Sequence, residues 1–262
     1  MSSTPFLLLS PALPSELLTY ILSHHTHPTT LIICSSRSDF LASLADEVLQ
    51  ETDTASPDEG ASPENSIGSS PPVVAPLETR DVKQEQVRQE PQHRLLSSPL
   101  YMVATSRHIR VVYIPTVTHL RACLSVFSPD DSRVPVPPVG YNSSGKCAPC
   151  IILYGFLEMH RDTSEWSAQG LGNSASALVE LGHRLSWQTI VIEPRKHNTA
   201  SPFEDLLREN VPFLSGGGRR LGPEVVAGRT VEVGRVMKRW FRYQLGEWDM
   251  NSDERKVGAS KT

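Results

Sequence analysis

Short runs of mostly apolar residues that alternate with helix-like segments constrain the fold of this 262-residue chain more than any other feature. The clearest runs are TLIIC at 30–34, CIILYGF at 150–156 and TIVIE at 189–193. A strand with one wet face alternates apolar and polar residues, whereas a strand buried on both faces is a continuous apolar run. These runs therefore predict strands of a mainly parallel sheet that is covered by helices on both faces.

The other periodic segments fit the same plan, because four segments repeat apolar residues at helical spacing and two more short runs predict strands. The predicted helices span 15–23, 39–50, 118–127 and 174–187, and the added strands span 6–10 and 109–114. Ser15 precedes the first helical repeat and is expected to cap that helix. The predicted fold class is α/β, and the pattern leaves the order of the strands open.

Residues 51–94 interrupt this alternation. They contain six prolines, nine acids and four bases, with no aromatic residue and no sustained apolar period. Such a segment buries too little apolar surface to offset the entropy lost on ordering. We predict a disordered acidic insertion at 51–94 and a similar tail at 249–262, which leaves 1–50 and 95–248 to form one domain.

The overall composition excludes several classes of protein. The net charge is −4, so the whole chain lacks the basic character of a histone-like nucleic-acid binder, although a local basic patch is compatible with it. Four cysteines in 262 residues do not indicate a disulfide framework, which favours a reducing compartment. No apolar run approaches about 18 residues, and we expect neither a spanning helix nor a secretion signal.

One segment resembles a phosphate-binding loop. Gly140, Gly145 and Lys146 match the pattern GxxxxGK[ST], but Cys147 stands where the hydroxyl residue belongs. That loop works where a strand leads into a helix N-terminus, and here Pro149 and a strand follow instead. We expect a surface loop, and we keep a P-loop nucleotide hydrolase that uses Gly145 and Lys146 as an alternative.

Two other groups invite metal or redox chemistry. Cys147 and Cys150 form a CxxC pair, which in redox proteins begins a helix but here leads into a strand. His24, His25 and His27 lie in a predicted helix-to-strand turn, with no second cluster to complete a metal site. The sequence therefore predicts no bound metal and no catalytic thiol.

Polar residues follow the most apolar strand, and basic residues gather near the end of the chain. Glu158, His160, Arg161 and Asp162 form either a site at the carboxyl end of a strand or a solvated loop. Seven bases and two acids lie between 219 and 242. Apolar and basic residues at 233–242 fit an amphipathic helix, and an alternating strand at 239–245 is the alternative.

In chain order, these elements resemble the core of a RecA-type recombinase. In that family a first strand leads into a phosphate loop, a helix and a second strand, and the segments from 6 to 34 fill those places. The family's second nucleotide motif is an apolar strand followed by a loop, a long helix and a nucleotide-sensing strand. The run from 150 to 195 resembles it, and FLSGGGRRLG at 213–222 resembles the second DNA-binding loop.

Departures from the family pattern fall at the ATP site. The phosphate-loop position reads PALP at 11–14, with neither glycine nor lysine, and Gly155 stands where the magnesium-orienting aspartate belongs. Without these groups the backbone cannot wrap the phosphates and no charge meets them. The resemblance therefore implies a RecA-like paralogue with no ATPase activity, no nucleotide cofactor and no bound metal.

Such paralogues resemble accessory subunits of Shu-type complexes, in which they pair with a SWIM-domain zinc protein and help to load a recombinase on single-stranded DNA. The resemblance implies a nuclear, non-catalytic role in homologous-recombination repair, with a recombinase or its paralogues as partners. Elongator-like subunits of the same fold are the alternative. The candidate DNA contacts are Arg161, Arg195, Lys196, Arg219, Arg220, Arg235, Lys238, Arg239 and Arg242.

Overall fold

A computed structural model describes residues 6–25, 27–54, 95, 99–138, 149–195, 203–214 and 229–249. Six strands form one parallel sheet in the order β3-β2-β4-β5-β1-β8, and β6 and β7 form a separate antiparallel pair. The strands are β1 Phe6–Ala12, β2 Thr29–Ile33, β3 Ile109–Tyr113, β4 Cys150–Tyr154, β5 Gln188–Pro194, β6 Asn210–Pro212, β7 Thr230–Glu232 and β8 Arg242–Gln244. The helices are α1 Pro14–His24, α2 Arg37–Thr54, α3 Leu100–Ser106, α4 Val117–Val126, α5 Phe156–Arg161, α6 Ala168–Leu185, α7 Phe203–Arg208 and α8 Val233–Met237.

The central strands are buried on both faces, which is why their sequences are continuous apolar runs. On one face, Ile151 and Leu153 of β4 join a core that includes residues of α4, α5, α6 and α8. On the other face, Ile152 of β4 joins a core with Leu17 of α1 and Phe40 of α2. The predicted α/β fold class, a mainly parallel sheet between two layers of helices, is confirmed.

Both parts of the chain that flank the predicted insertion build this single sheet. β1 pairs with β5 and β8, and β2 pairs with β3 and β4. Helix α2 continues to Thr54, four residues into the predicted insertion, and 55–94 lie outside the described residues. At the other end, Asp249 was predicted to begin the tail, and its carboxylate bonds to Arg195.

The start of α1 differs from the prediction. Leu13, not Ser15, holds the cap position, and Pro14 opens the helix with a φ that already suits it. The Glu16 carboxylate accepts a hydrogen bond from the Leu13 N–H at 2.8 Å, which satisfies one donor at the helix end. Ser15 does not cap α1. Its hydroxyl and its N–H instead donate hydrogen bonds to the Glu47 carboxylate of α2.

The segment after β4 contains two helices where a loop and one helix were expected. Residues 156–161 form α5, so the cluster from Glu158 to Asp162 is not a solvated loop, and His160 is fully buried. α6 begins at Ala168, six residues before the predicted start, because the Ser167 hydroxyl accepts from the Gly170 N–H at 3.0 Å. It ends at Leu185, and the next residue, Ser186, adopts a positive φ of 56°.

The two alternatives for the C-terminal region are each partly right. α8 stops at Met237, so the predicted helix over 233–242 is too long, and β8 covers only Arg242–Gln244. Phe241 is buried in the core beneath α8, and the residues after it pair with β1. Pairing with β1 outweighs the helical periodicity, since periodicity is only a weak prior. Among the described residues, no helix has the length and apolar character needed to cross a membrane.

Candidate functional site

A cleft of about 740 Å³ opens where β1, β2, β4 and β5 end, at the carboxyl edge of the sheet. In parallel sheets this edge is the usual place for a ligand site. Its floor includes Leu13, Phe40 and Gly155, and acidic side chains of α2 and α5 stand around it. The residues that line the cleft come from strand ends and helices that are far apart in the sequence. The cleft therefore forms only when the sheet brings these elements together.

A carboxylate of the protein itself occupies the N-terminus of α1. Glu47 of α2 is only 1 % exposed, and its Oε2 accepts a hydrogen bond from the Ser15 N–H at 3.0 Å. Its Oε1 accepts from the Ser15 hydroxyl. A helix N-terminus attracts anions through its free N–H groups and its dipole, and it is where phosphates bind in nucleotide loops. Glu47 therefore stands where a phosphate would bind.

Glu16 adds a second carboxylate at the same helix end. It accepts from the Leu13 N–H and forms an ion pair with Arg195, which follows β5. Arg195 also donates to Asp249 at 3.0 Å. Burial raises the pKa of Glu16, and the Leu13 hydrogen bond and the Arg195 charge oppose that rise. Arg195 is thus held by two carboxylates, which largely neutralise its charge.

Glu193 at the end of β5 plays a matching role for α5. Its two carboxyl oxygens accept from the N–H groups of Leu157 at 2.8 Å and Glu158 at 3.3 Å. Burial raises the pKa of Glu193 to about 8, against the lowering effect of those two hydrogen bonds. Both helices that begin at this cleft are therefore closed by carboxyl groups of the chain.

Gly155 connects β4 to α5 with a φ of +85°. A side chain is strained in that conformation, although a Cβ there would meet only ordinary contacts, the nearest at 3.6 Å from Pro194. The position at which the RecA resemblance expects a magnesium-orienting aspartate is therefore a turn that favours glycine. Gly155 carries no carboxylate, and its backbone conformation is one that favours glycine.

Two of the predicted DNA contacts are engaged in ion pairs. Arg161, at the end of α5, donates to Glu209 at 2.8 Å and lies over the Trp166 ring at 5.5 Å from its centroid. Arg195 is the cleft residue that binds Glu16 and Asp249. Contact with DNA would have to compete with these internal partners, so both arginines are weaker candidates than their charge implied.

Four other predicted contacts lie close together in the chain and are exposed. Arg235 belongs to α8, Lys238 and Arg239 to the turn after it, and Arg242 to β8. Arg239 lies over the Trp240 ring, 5.6 Å from its centroid. Within the described ranges none of the four forms an ion pair. We call these four residues the α8–β8 basic surface.

The remaining sequence-predicted site residues fall outside the described residues. They are Gly140, Gly145, Lys146, Lys196, Arg219 and Arg220. The segment with the phosphate-loop pattern is followed by β4, which begins at Cys150. The prediction that this pattern leads into a strand rather than a helix is confirmed.

Cys147 of the CxxC pair lies outside the described residues, and the structure places Cys150 and the histidines before β2. Cys150 is fully buried, and its Sγ lies 3.3 Å from Nδ1 of His25. Burial lowers the pKa of His25 to about 4, so this imidazole is neutral near pH 7. His24 contacts Glu247 at the surface. No three histidine, cysteine or carboxylate side chains among the described residues come together as a metal site would require.

Sequence reasoning missed Glu47 as the central residue of the cleft. A usable signal was its position seven residues after Phe40, which places a carboxylate on the buried face of α2 two turns further on. An acid on a buried helix face needs a partner. The partner, Ser15, lies 32 residues away and could not be read from α2 alone.

Comparisons with protein-family models, with curated proteins and with solved structures found no match for this chain. The class that the fold and site define is an α/β domain with a parallel sheet whose carboxyl-edge cleft is lined by acids. A proposal for its function therefore depends on the chain's own residues and their geometry.

Proposed function

We propose that this chain is a RecA-like domain that has lost nucleotide hydrolysis and serves as a non-catalytic subunit in homologous-recombination repair. It acts in the nucleus by binding a recombinase or its paralogues, a SWIM-domain zinc protein and single-stranded DNA. The observation that carries the proposal is the carboxylate of Glu47 at the N-terminus of α1, the position that the RecA resemblance assigns to the phosphates.

The strand order supports the RecA-like part of the proposal. The resemblance assigns the phosphate loop to the end of β1, the second nucleotide motif to β4 and the nucleotide-sensing strand to β5. These three strands are neighbours in the order β4-β5-β1, so their carboxyl ends meet at one cleft. In this proposal the chain keeps the strand arrangement of a nucleotide site, but acidic side chains line the cleft and the groups that bind phosphate are missing.

Electrostatics supports the non-hydrolysing part. A polyphosphate in the cleft would meet the carboxylates of Asp46 and Glu47 of α2 and of Glu158 of α5. Arg195, the one base among the residues that line the described cleft, is bound by two carboxylates. Like charges at such short range disfavour binding strongly because a half-buried cleft screens them poorly.

The partner prediction is tested by affinity purification of the tagged full chain from cells that express it naturally, with identification of the proteins retained. Recovery of a recombinase together with a SWIM-domain zinc protein is the expected result. Recovery of tRNA-modification subunits instead would overturn the repair role and favour the Elongator-like alternative.

The loss of nucleotide chemistry is tested by titrating a fluorescent ATP analogue with Mg²⁺ into the wild type and Lys146→Ala. We expect no saturable binding to either protein. Saturable binding that disappears in Lys146→Ala would overturn the proposal, because it would identify the GxxxxGK segment as a working phosphate loop.

The DNA-binding part is tested at the α8–β8 basic surface. The double variant Lys238→Glu/Arg239→Glu should bind a single-stranded oligonucleotide more weakly, with a shallower dependence of log K on log salt, because fewer counterions are released. The matched control is Arg37→Glu/Arg107→Glu, which reverses two exposed arginines on α2 and after α3. Equal binding by wild type and both variants would exclude this surface from DNA contact.

A further inference from the structure

An exposed aromatic ring belongs to the same stretch of chain as the α8–β8 basic surface. Tyr243 of β8 is 42 % exposed, although a tyrosine ring in a sheet would ordinarily bury most of its area. Its ring stacks on Phe203 of α7, with 5.7 Å between the ring centroids and 26° between the planes. The Phe203 ring holds the Tyr243 ring from behind and leaves part of it open to solvent.

The position of β8 makes this ring accessible to a long ligand. β8 is the last strand of the sheet, paired with β1 on one side, and its three residues are all exposed. In register, Tyr243 lies opposite Leu8 and Arg242 opposite Leu7, so the two side chains leave the strand on opposite faces. A chain that runs along this edge can contact a ring on one face and a cation on the other.

The local charge suits a polyanion. Lys238, Arg239 and Arg242 lie within five residues of Tyr243 along the chain and have no carboxylate partner in the described structure. Two carboxylates do lie near Tyr243, those of Glu204 and Asp249. Each of them pairs with an arginine, Glu204 with Arg208 at 3.1 Å and Asp249 with Arg195 at 3.0 Å. The carboxylates near the ring are therefore already paired with arginines, and the charges of residues 238–242 that have no ion-pair partner in the described structure are cations.

We propose that Tyr243, supported by Phe203, is a stacking platform for a base of single-stranded DNA, with the α8–β8 basic surface binding the phosphates beside it. This inference rests on the proposed function, which assigns DNA binding to the cations alone. Sites for single strands combine a basic track with aromatic rings that stack on bases of any sequence. A protein strand added to this edge is the less favoured occupant, since three residues offer few backbone groups for pairing.

The test compares full-length wild type, Tyr243→Ala and Tyr243→Phe for binding of an oligothymidine by fluorescence anisotropy. Tyr243→Ala should bind about tenfold more weakly, because loss of one stacked base costs roughly one factor of ten or more. Tyr243→Phe keeps the ring and should bind within about twofold of wild type. Tyr101→Ala, which removes an exposed tyrosine on α3, the helix that precedes the other edge strand β3 in the chain, is the matched control and should bind like wild type.

Two further measurements separate stacking from charge and from folding. The salt dependence of binding should be the same for Tyr243→Ala and wild type, since no ionic contact is lost. An abasic strand of equal length should bind wild type and Tyr243→Ala equally, because it carries phosphates without bases. A loss of affinity for the abasic strand as well, or in Tyr243→Phe, would overturn the stacking role.

The outcomes also distinguish this inference from the proposed function. If the wild type binds the oligonucleotide in a salt-dependent way and Tyr243→Ala binds equally well, the platform is wrong and the DNA-binding role stands. If the wild type binds no single strand, the DNA-binding role itself fails. If Tyr243→Ala keeps DNA binding but loses a co-purified protein, the surface is a protein-docking edge and the stacking proposal is overturned.

Discussion

At the scale of single residues, carboxyl groups of the chain accept hydrogen bonds from the N-termini of two helices, as phosphates do in a nucleotide site. Glu47 binds the N-terminus of α1, and Glu193 binds that of α5. Both are about 1 % exposed, so neither gains much from water and each depends on its hydrogen bonds. A buried carboxyl group at a helix N-terminus accepts hydrogen bonds from N–H groups that a bound anion would otherwise satisfy.

Replacing Glu47 tests this view. Glu47→Ala leaves the Ser15 N–H and hydroxyl without their acceptor, and we expect the free energy of unfolding to fall by about 1–3 kcal/mol. Inorganic phosphate should raise the melting temperature of the variant more than that of wild type, because the vacated N-terminus attracts an anion. Thermal and urea unfolding measure both effects.

Asp46→Ala is the control for Glu47→Ala. Asp46 is the adjacent residue on α2 and is exposed, so its replacement should change the free energy of unfolding by less than about 0.5 kcal/mol. If Glu47→Ala is as stable as Asp46→Ala, Glu47 does not hold α1.

The pH dependence of stability provides a test for Glu193. Its pKa is near 4.5 in the unfolded chain and about 8 in the folded protein. Its contribution to stability is therefore complete below pH 4.5 and is lost as the pH rises through 8, with a slope of up to about 1.4 kcal/mol per pH unit between those values.

In Glu193→Gln this titration is absent. The free energy of unfolding of wild type minus that of the variant should therefore decrease steadily from pH 5 to pH 8, as measured by urea denaturation at each pH. His25 and His160 have lowered pKa values and act in the opposite sense, but they are common to both proteins and cancel in the difference. A difference that does not change with pH would show that Glu193 stays ionised in the fold.

At the scale of elements, a partly buried polar network joins three helices on one face of the sheet. His160 Nδ1 donates to the Phe156 carbonyl at 2.7 Å, so Nε2 is the acceptor for the Ser174 hydroxyl at 2.9 Å. The Ser174 oxygen in turn accepts from Arg121 Nε at 2.9 Å, and Arg121 pairs with Glu165 at 2.6 Å. This network fixes α4, α5 and α6 relative to one another.

Ser174→Ala should cost about 1–3 kcal/mol of unfolding free energy, because it leaves buried nitrogens of His160 and Arg121 without a partner. Ser176→Ala changes the same residue type on the same helix, where the hydroxyl bonds only to the Asn173 carbonyl near the surface. That control should stay within about 0.5 kcal/mol of wild type. Urea unfolding of both variants gives the comparison, and equal stabilities would mean that the network does not hold the helices together.

Element boundaries show how far sequence patterns reach. The sequence predicts the strands of the sheet core to within two residues at each end. A strand that is buried on both faces needs apolar side chains at successive positions, so its limits are visible in the local sequence. α5 and the early start of α6 were missed, because a six-residue helix has too few repeats for a period to be visible. β8 was ambiguous, because Phe241, Tyr243 and Leu245 fit a strand while the preceding residues fit a helix.

At the scale of the whole molecule, acidic and basic side chains lie in different regions. The net charge of −4 is a sum over these regions and does not show the separation. The acidic cleft lies at the carboxyl ends of the strands. Among the exposed bases of the α8–β8 basic surface, Arg242 lies opposite Leu7, near the start of β1. In our proposal, these separate surfaces allow the cleft to repel nucleotides while the basic surface binds DNA.

The chain on either side of the predicted insertion forms one sheet, which suggests a deletion experiment. Replacing residues 58–92 by a short Gly-Ser linker should change the free energy of unfolding by no more than about 1 kcal/mol, because the cost of closing a loop varies only slowly with its length. Urea unfolding with an unchanged m-value is the expected result. A large loss of stability, or a lower m-value, would mean that these residues pack against the domain.

The sequence by itself determined the α/β class, the buried strands and the absence of glycine and lysine from PALP at 11–14, because these are recorded in residues that are adjacent in the chain. The tertiary structure alone decided the strand order, the position of Glu47 at Ser15 and the exposure of Tyr243 at the sheet edge. Each of these depends on contacts between residues far apart in sequence. Such contacts are set by how whole elements pack together, and no local periodicity records them.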